Sequence, residues 1–127
     1  MICKRRVTAR VIAALGLLAA GAMAAQAAGA LAVGACGAYG FAYDYKVADV
    51  ARTAALGKCQ GAECKIVVTT MKHSCAAFAI DGRNVCGPLG YASAARLGQA
   101  QNSALNQCYR YGGKDCVIRA WVCDAKG

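Results

Sequence analysis

The side chains best suited to chemistry in this chain are its nine cysteines and its single histidine, His73. Thiolates and imidazole bind zinc or act as a nucleophile and its base, whereas paired thiols form disulfides. A zinc site would use four ligands, Cys59, Cys64, His73 and Cys75. Their spacing is loose, and Trp121 stands where the second half of the chain would need a histidine. Zinc binding and thiol nucleophilicity are therefore alternatives to a disulfide framework.

Acid–base chemistry has few candidates. The chain has one glutamate, Glu63, and five aspartates, with no phosphate-binding loop, paired-carboxylate motif or Ser/His/Asp set. A small hydrolase would have to combine Glu63, His73 or aspartates that only the fold brings together, and a thiol-redox enzyme would use Cys59 and Cys64. The sequence predicts no catalytic residue, no metal site and no cofactor. It favours a binding or envelope-associated module, with an enzyme or a purely structural envelope protein as alternatives.

The first 27 residues have the pattern of a secretory signal peptide. A basic segment, residues 4–10, precedes the apolar segment Val11–Ala20, and small residues follow. We expect cleavage after Ala27, with cleavage after Ala24 as the alternative, and export to the periplasm or the medium. A retained transmembrane anchor is the competing interpretation, because the uncharged segment is longer than about 20 residues.

Removal of residues 1–27 leaves one domain of 100 residues with eight cysteines. An even, dense set of cysteines in an exported domain of this size predicts disulfides formed in an oxidising compartment. This segment carries 11 Lys and Arg and 6 Asp and Glu, a net charge of +5. Such a mild basic bias suits an unknown protein or envelope polymer as partner, and no nucleic-acid-binding motif is present. We expect six basic residues on a solvated face: Lys58, Lys65, Lys72, Arg110, Lys114 and Arg119.

The segment after residue 27 contains a duplication. CGAYGFA begins at Cys36 and CGPLGYA at Cys86, and each is followed by an alanine-rich segment that ends in Cys59 or Cys108. A further cysteine and an apolar segment then follow in both halves. Shared order and spacing indicate two copies of one unit. We predict a single α+β domain of two pseudo-symmetric β-β-α-β units, about residues 29–75 and 76–124, with an antiparallel or mixed sheet and two alanine-rich helices.

Helical spacing begins after Asp44 and Ser93, both of which suit an N-cap. It predicts helices over 45–58 and 94–109, each with a face of small residues, ended by Gly61 and by Gly112 with Gly113. Alternation and β-branched residues predict strands at 30–33, 65–71, 77–80 and 117–122, with a further strand in each glycine–aromatic segment.

The duplication reduces the possible disulfide pairings. Cys59–Cys64 and Cys108–Cys116 each span a helix end and the start of the following strand. The remaining cysteines form two sets that we take as equivalent between the units, and equivalent positions meet near a pseudo-twofold axis. This predicts Cys36–Cys86 and Cys75–Cys123. The main alternative is Cys36–Cys75 with Cys86–Cys123.

These repeated strands, the ALxxC helix ends and the segments CKIVVTT, SCAAFAI and VIRAWVC resemble the bacterial domain-of-unknown-function family 4189 over about residues 29–124. The resemblance implies export and a disulfide-bonded α+β domain, and it implies no catalytic residue. The family usually keeps six of the cysteines: Cys59, Cys64, Cys75, Cys108, Cys116 and Cys123. Cys36 and Cys86 depart from that pattern together, consistent with an added bond between them.

An alternating row of aromatic residues, Tyr39, Phe41, Tyr43 and Tyr45, contains the best candidate binding surface, Tyr39, Tyr43 and Tyr45. At a period of two they would share one face of a strand. Exposed rings there would stack on glycan rings or hold a partner strand. The competing interpretation is that the rings pack in the core. Because Phe41 corresponds to Tyr91 in the second unit, that interpretation suits Phe41 best.

We expect the intact mass of the exported protein to be that of a chain that begins at Ala28. All eight cysteines should resist alkylation until a reductant is added, because each is held in a disulfide. Free thiols or bound zinc without reduction would contradict this prediction and would make Cys59, Cys64, His73 and Cys75 the candidate site.

Overall fold

The computed structural model describes residues 28–71 and 73–124. The predicted signal peptide and its cleavage sites lie outside these residues. The first unit contains β1 (Ala28–Val33), a short 3-10 turn (Ala35–Gly37), β2 (Tyr39–Tyr45), α1 (Ala48–Lys58) and β3 (Lys65–Met71). The second contains β4 (Cys75–Asp81), β5 (Asn84–Ala94), α2 (Leu97–Arg110) and β6 (Cys116–Cys123). The predicted α+β class with two β-β-α-β units is confirmed.

Each unit forms its own three-stranded antiparallel sheet. The first strand of the unit is central, so the strand orders are β2-β1-β3 and β5-β4-β6. Both central strands are buried along their whole length. A helix covers one face of each sheet and the other sheet covers the opposite face, which gives four layers in the order helix, sheet, sheet, helix.

The layer between each helix and its sheet is built almost entirely from small residues. Alanines of β1 pack on Ala51 and Ala55 of α1, and alanines of β4 pack on Ala100 and Ala104 of α2. These helix faces are the ones that the sequence predicts. They allow each helix to lie unusually close to its sheet.

Gly40 and Gly90, the second glycines of the repeated motif, mark the closest approach. A Cβ atom at Gly40 would collide with the backbone of α1 at Ala55, and one at Gly90 would collide with the backbone of α2 at Ala104. The glycine is therefore required at both positions by packing.

Larger apolar side chains lie between the two sheets. This cluster contains Leu31, Val33, Ala76, Phe78, Ile80 and Val122, with aromatic and aliphatic residues of β2, β3 and β5 around it. Apolar burial contributes about 25 cal/mol per Å². Phe78 and Leu31, the largest fully buried apolar side chains, lie at this interface, so their contribution requires both units.

The predicted N-caps are wrong. The helices begin at Ala48 and Leu97, three residues later than expected, and no side-chain cap bonds form at their N-termini. Asp44 and Ser93 lie instead in β2 and β5, because these strands extend their ladders to Tyr45 and Ala94. Pairing with the central strand provides hydrogen-bond partners for the backbone in these segments, so side-chain capping does not decide where each helix begins.

Glycine ends only the second helix. Gly112 has φ +100° and Gly113 donates its N–H to the carbonyl oxygen of Cys108 at 3.0 Å, which is a Schellman C-cap. The C-cap of α1 is Cys59, with extended backbone, and Gly61 lies two residues beyond it.

Four disulfides join the cysteines of the described residues: Cys36–Cys86, Cys59–Cys64, Cys75–Cys123 and Cys108–Cys116. Two of them link a helix end to the loop or strand that follows it. Cys36–Cys86 links the two units. Cys3 lies outside the described residues.

The equivalence of Cys75 and Cys123 between the units is wrong. Cys75 is the first residue of β4 and pairs directly with Cys123, the last residue of β6, within the second sheet. The corresponding pair in the first sheet is Ala28 and Met71. This bond therefore lies within one unit and does not cross the pseudo-twofold axis.

Asp81 is a buried carboxylate, 5% exposed, that joins the β4–β5 turn to the loop after α2. It accepts hydrogen bonds from the backbone N–H of Arg83 at 3.0 Å and of Lys114 at 3.3 Å. The Arg83 bond is the main reason that the pKa of Asp81 lies below its ordinary value, and burial opposes this shift.

We expect Gly90→Ala to lower the free energy of unfolding by about 1–3 kcal/mol, because the added methyl group forces α2 away from β5. Gly98→Ala is the matched control. It adds the same group to α2 at a position with open space, and it should raise stability by up to about 1 kcal/mol. Denaturant unfolding of both variants tests this; equal effects would contradict the close-approach argument.

We expect Asp81→Asn to be less stable than the wild type at pH 7, with a difference that shrinks in acid. A carboxyl whose pKa is lowered by folding stabilises the native state above its unfolded pKa, about 3.9, and loses that effect as the pH falls through the folded pKa. Denaturant unfolding between pH 7 and 2 measures this. A difference that stays constant would show that the charge of Asp81 has no role.

Candidate functional site

The candidate site is a cleft between β2 and β6. These are edge strands of the two sheets, and the face-to-face packing of the sheets brings them together. The cleft has a volume of about 710 Å³. Its walls come from Tyr39, Phe41 and Tyr43 of β2, residues 118–123 of β6 and Gln101 of α2.

Three of the four predicted aromatic residues form a row along β2. The ring centroids of Tyr39 and Phe41 lie 6.2 Å apart with nearly parallel planes, and those of Phe41 and Tyr43 lie 6.4 Å apart. Tyr39 and Phe41 are half-buried against the cluster between the sheets, whereas Tyr43 is 53% exposed. The row is thus held against the core at Tyr39 and Phe41 and is exposed to solvent at Tyr43.

Tyr45 does not belong to this row, and the prediction that it shares the same face is wrong. Ala30 pairs with Ala42 while Ala28 pairs with Tyr45, so β2 has one extra residue in this interval. Asp44, within the bulge, has φ +58°. Because a one-residue insertion reverses the side-chain alternation, Tyr45 lies on the helix side, packed against the alanine cluster.

Arg119 is placed by a second bulge. In β6, Ile118 pairs with Ala79 and Ala120 pairs with Phe78, which leaves Arg119 as the extra residue. Its side chain reaches the first unit. Nε donates to the carbonyl oxygen of Gly37 at 3.2 Å, and the guanidinium carbon lies 5.4 Å from the ring centroid of Tyr39. Such cation–π contacts are worth about 0.5–1 kcal/mol at exposed sites.

Trp121 completes the aromatic lining. It is the only tryptophan of the chain and is 51% exposed. From the sequence, Arg119 is expected on a solvated face, and Trp121 has no predicted binding role. The contact between β2 and β6 depends on how two separate sheets pack, and local spacing carries no signal for it. The sequence feature that could have indicated this site is the presence of a single tryptophan, Trp121, and of Arg119 in the last strand.

The charge around the cleft is positive. Lys58, at the end of α1, lines a smaller recess beside it together with Tyr39, Gly40 and Phe41. Among the described residues, no carboxylate lines either the cleft or this recess. Asp124, next to the cleft along the chain, is 1% exposed and accepts a hydrogen bond from the Asp44 N–H at 3.2 Å.

The zinc and thiol chemistry that the sequence leaves as alternatives is not assembled at this cleft. Cys59 bonds to Cys64 and Cys75 bonds to Cys123, so the thiolates for a zinc site with His73 are held in disulfides. Residues 28–71 and 73–124 contain no group of three or more His, Cys, Asp or Glu side chains arranged to hold a metal. His73 is exposed in the connection between the units.

A second cleft, of about 690 Å³, lies between β3 and β5 and corresponds to the first by the pseudo-twofold axis. Its chemistry differs. Leu89 and Tyr91 take the places of Tyr39 and Phe41, and Val67 takes the place of Arg119. Its lining includes Lys65 and Glu63, which carry opposite charges, together with Tyr91 and Tyr111. The β2–β6 cleft differs in that the one charged residue among its described lining residues is a cation, Arg119.

A family model with the description Domain of unknown function (DUF4189) matches residues 28–123. The matched segment runs from the first residue of β1 to the last residue of β6, so it includes both units and the cleft. Searches of the curated proteins and of the solved structures find no match.

Proposed function

Because the chain belongs to the family described as Domain of unknown function (DUF4189), which names no activity, we propose a function from the site: an exported, disulfide-stabilised binding module that holds an envelope polymer or a protein in the β2–β6 cleft. One observation carries the proposal. Tyr43 and Trp121 are each about half exposed in the same cleft, beside two further rings. Large aromatic side chains contribute strongly to binding when a partner covers them.

Export is supported by the sequence before β1. Residues 1–27 have the basic, apolar and small-residue segments of a signal peptide, with cleavage proposed after Ala27 or, alternatively, after Ala24. Disulfides form and persist in oxidising compartments, which agrees with a periplasmic or extracellular location. Within residues 28–71 and 73–124, neither helix has the length and apolar composition that a membrane span requires.

The disulfides also support a binding role, because they hold the cleft in shape. Cys123 is part of the lining and is bonded to Cys75 of the central strand. Cys36–Cys86 fixes the turn before β2 to β5. A preformed site loses less conformational entropy when it binds, which favours affinity.

The single tryptophan makes the proposal testable. Because Trp121 lines the cleft, its fluorescence should change when a fraction of envelope polysaccharide or envelope protein binds there. We expect Tyr43→Ala to weaken that binding about tenfold, a loss of ~1.4 kcal/mol, through the loss of ring contact.

Tyr111→Ala is the matched control. Tyr111 is also an exposed tyrosine but lies outside this cleft. The control should bind like the wild type, and both variants should keep the wild-type circular dichroism spectrum. The proposal fails if no envelope fraction changes Trp121 fluorescence, or if the two variants lose affinity equally.

A further inference from the structure

We infer that the β2–β6 cleft binds an acidic polysaccharide, a chain of sugar rings that carries carboxylates. Sugar rings would lie on Phe41 and Tyr43, and a carboxylate would bind Arg119, whose guanidinium lies over Tyr39. This inference rests on the proposed binding role of the cleft and names the chemical class of its ligand.

Arg119 has the donors that a carboxylate needs. Its Nε–H is used by Gly37, and its guanidinium lies over Tyr39, so the side chain is held in one orientation. No protein partner of its two terminal amines occurs among the described residues. A guanidinium fork presents paired N–H groups in the geometry that a carboxylate accepts bidentately. The pre-oriented fork therefore suits an anionic group on a ligand that lies along the aromatic row.

Charge complementarity supports the same conclusion. Arg119 and Lys58 lie near Tyr39, and no carboxylate in the described residues lines the cleft or its side recess. The corresponding second cleft has Val67 in place of Arg119, and its lining includes both Lys65 and Glu63, whose charges offset each other. Since the two clefts share their fold, this difference is one of side-chain chemistry, and it makes the β2–β6 cleft the one suited to an anion.

The aromatic row favours sugars over the other polymers with anionic groups. Its rings follow one another at 6.2 and 6.4 Å along an extended strand, which suits a ligand that repeats apolar ring faces. Sugar rings have such faces and carry hydroxyl groups at the rim, and the lining of the cleft includes an amide, Gln101, that can hydrogen-bond hydroxyl groups. Single-stranded nucleic acid needs cations along the whole backbone, whereas Arg119 and Lys58 are both at the Tyr39 end. An added peptide strand would be bound through its main chain and would not need a row of rings.

The test compares two sugars that differ only in charge. Galacturonic acid oligomers and their methyl esters have the same backbone, and titration of each is followed by Trp121 fluorescence and by calorimetry. We expect saturable binding of the acid and about tenfold weaker binding of the ester, because a charge-assisted bond to Arg119 is lost. Affinity for the acid should fall with added salt.

Variants connect the preference to Arg119. Arg119→Gln should bind acid and ester almost equally, because only Lys58 then remains to favour the acid. Arg119→Lys should keep part of the preference because charge remains without the fork. Lys58→Gln leaves the contacts of Arg119 with Gly37 and Tyr39 intact and should reduce the preference less. It tests the role of positive charge even if the Arg119 variants fail to fold.

Equal binding of acid and ester by the wild type would overturn the acidic assignment while leaving glycan binding. Binding of acidic peptides or single-stranded DNA with no sugar response would overturn the ligand class alone. If none of these probes binds and no envelope fraction changes Trp121 fluorescence, the proposed function is overturned as well.

Discussion

Gly40 and Gly90 allow the backbone of each helix to rest on the backbone of the adjacent strand, and the rest of the packing follows from that short distance. A helix so close to its sheet leaves space mainly for small residues between them, with larger side chains only at the margins of the layer. Such residues bury little apolar surface, so the larger side chains are concentrated on the opposite faces of the sheets. Each unit therefore depends on the other to cover its most apolar face.

The disulfides compensate for this thin helix layer. Cys59–Cys64 and Cys108–Cys116 hold the C-terminal end of each helix, close to the glycine contact, and Cys75–Cys123 joins two strands of the second sheet. Each bond typically adds about 2–4 kcal/mol by limiting the unfolded chain. A domain with few large core residues gains the most from such bonds. The same bonds keep the aromatic cleft preformed.

Local patterns predicted the fold well and the site only in part. Repeated cysteines, glycines and alanines reveal two β-β-α-β units because these features depend on near neighbours in sequence. β-Bulges do not follow from near neighbours in this way, and two of them determine which side chains line the cleft. The bulge at Asp44 turns Tyr45 away from the cleft, and the bulge at Arg119 turns that side chain toward Tyr39. The contact between β2 and β6 arises from the packing of two separate sheets. The sequence therefore gives no indication that Trp121 lies in the same cleft as the aromatic residues of β2.

Of the four disulfides, only Cys36–Cys86 connects the two units. The other covalent connection is the polypeptide between β3 and β4, where His73 is exposed. A protease that cut the chain there would separate the two sequences without releasing either one. The halves would remain a single covalent molecule outside the reducing cytosol, with their sheets still in contact. The Cys36–Cys86 bond would thus keep a chain cleaved at its midpoint in one covalent molecule.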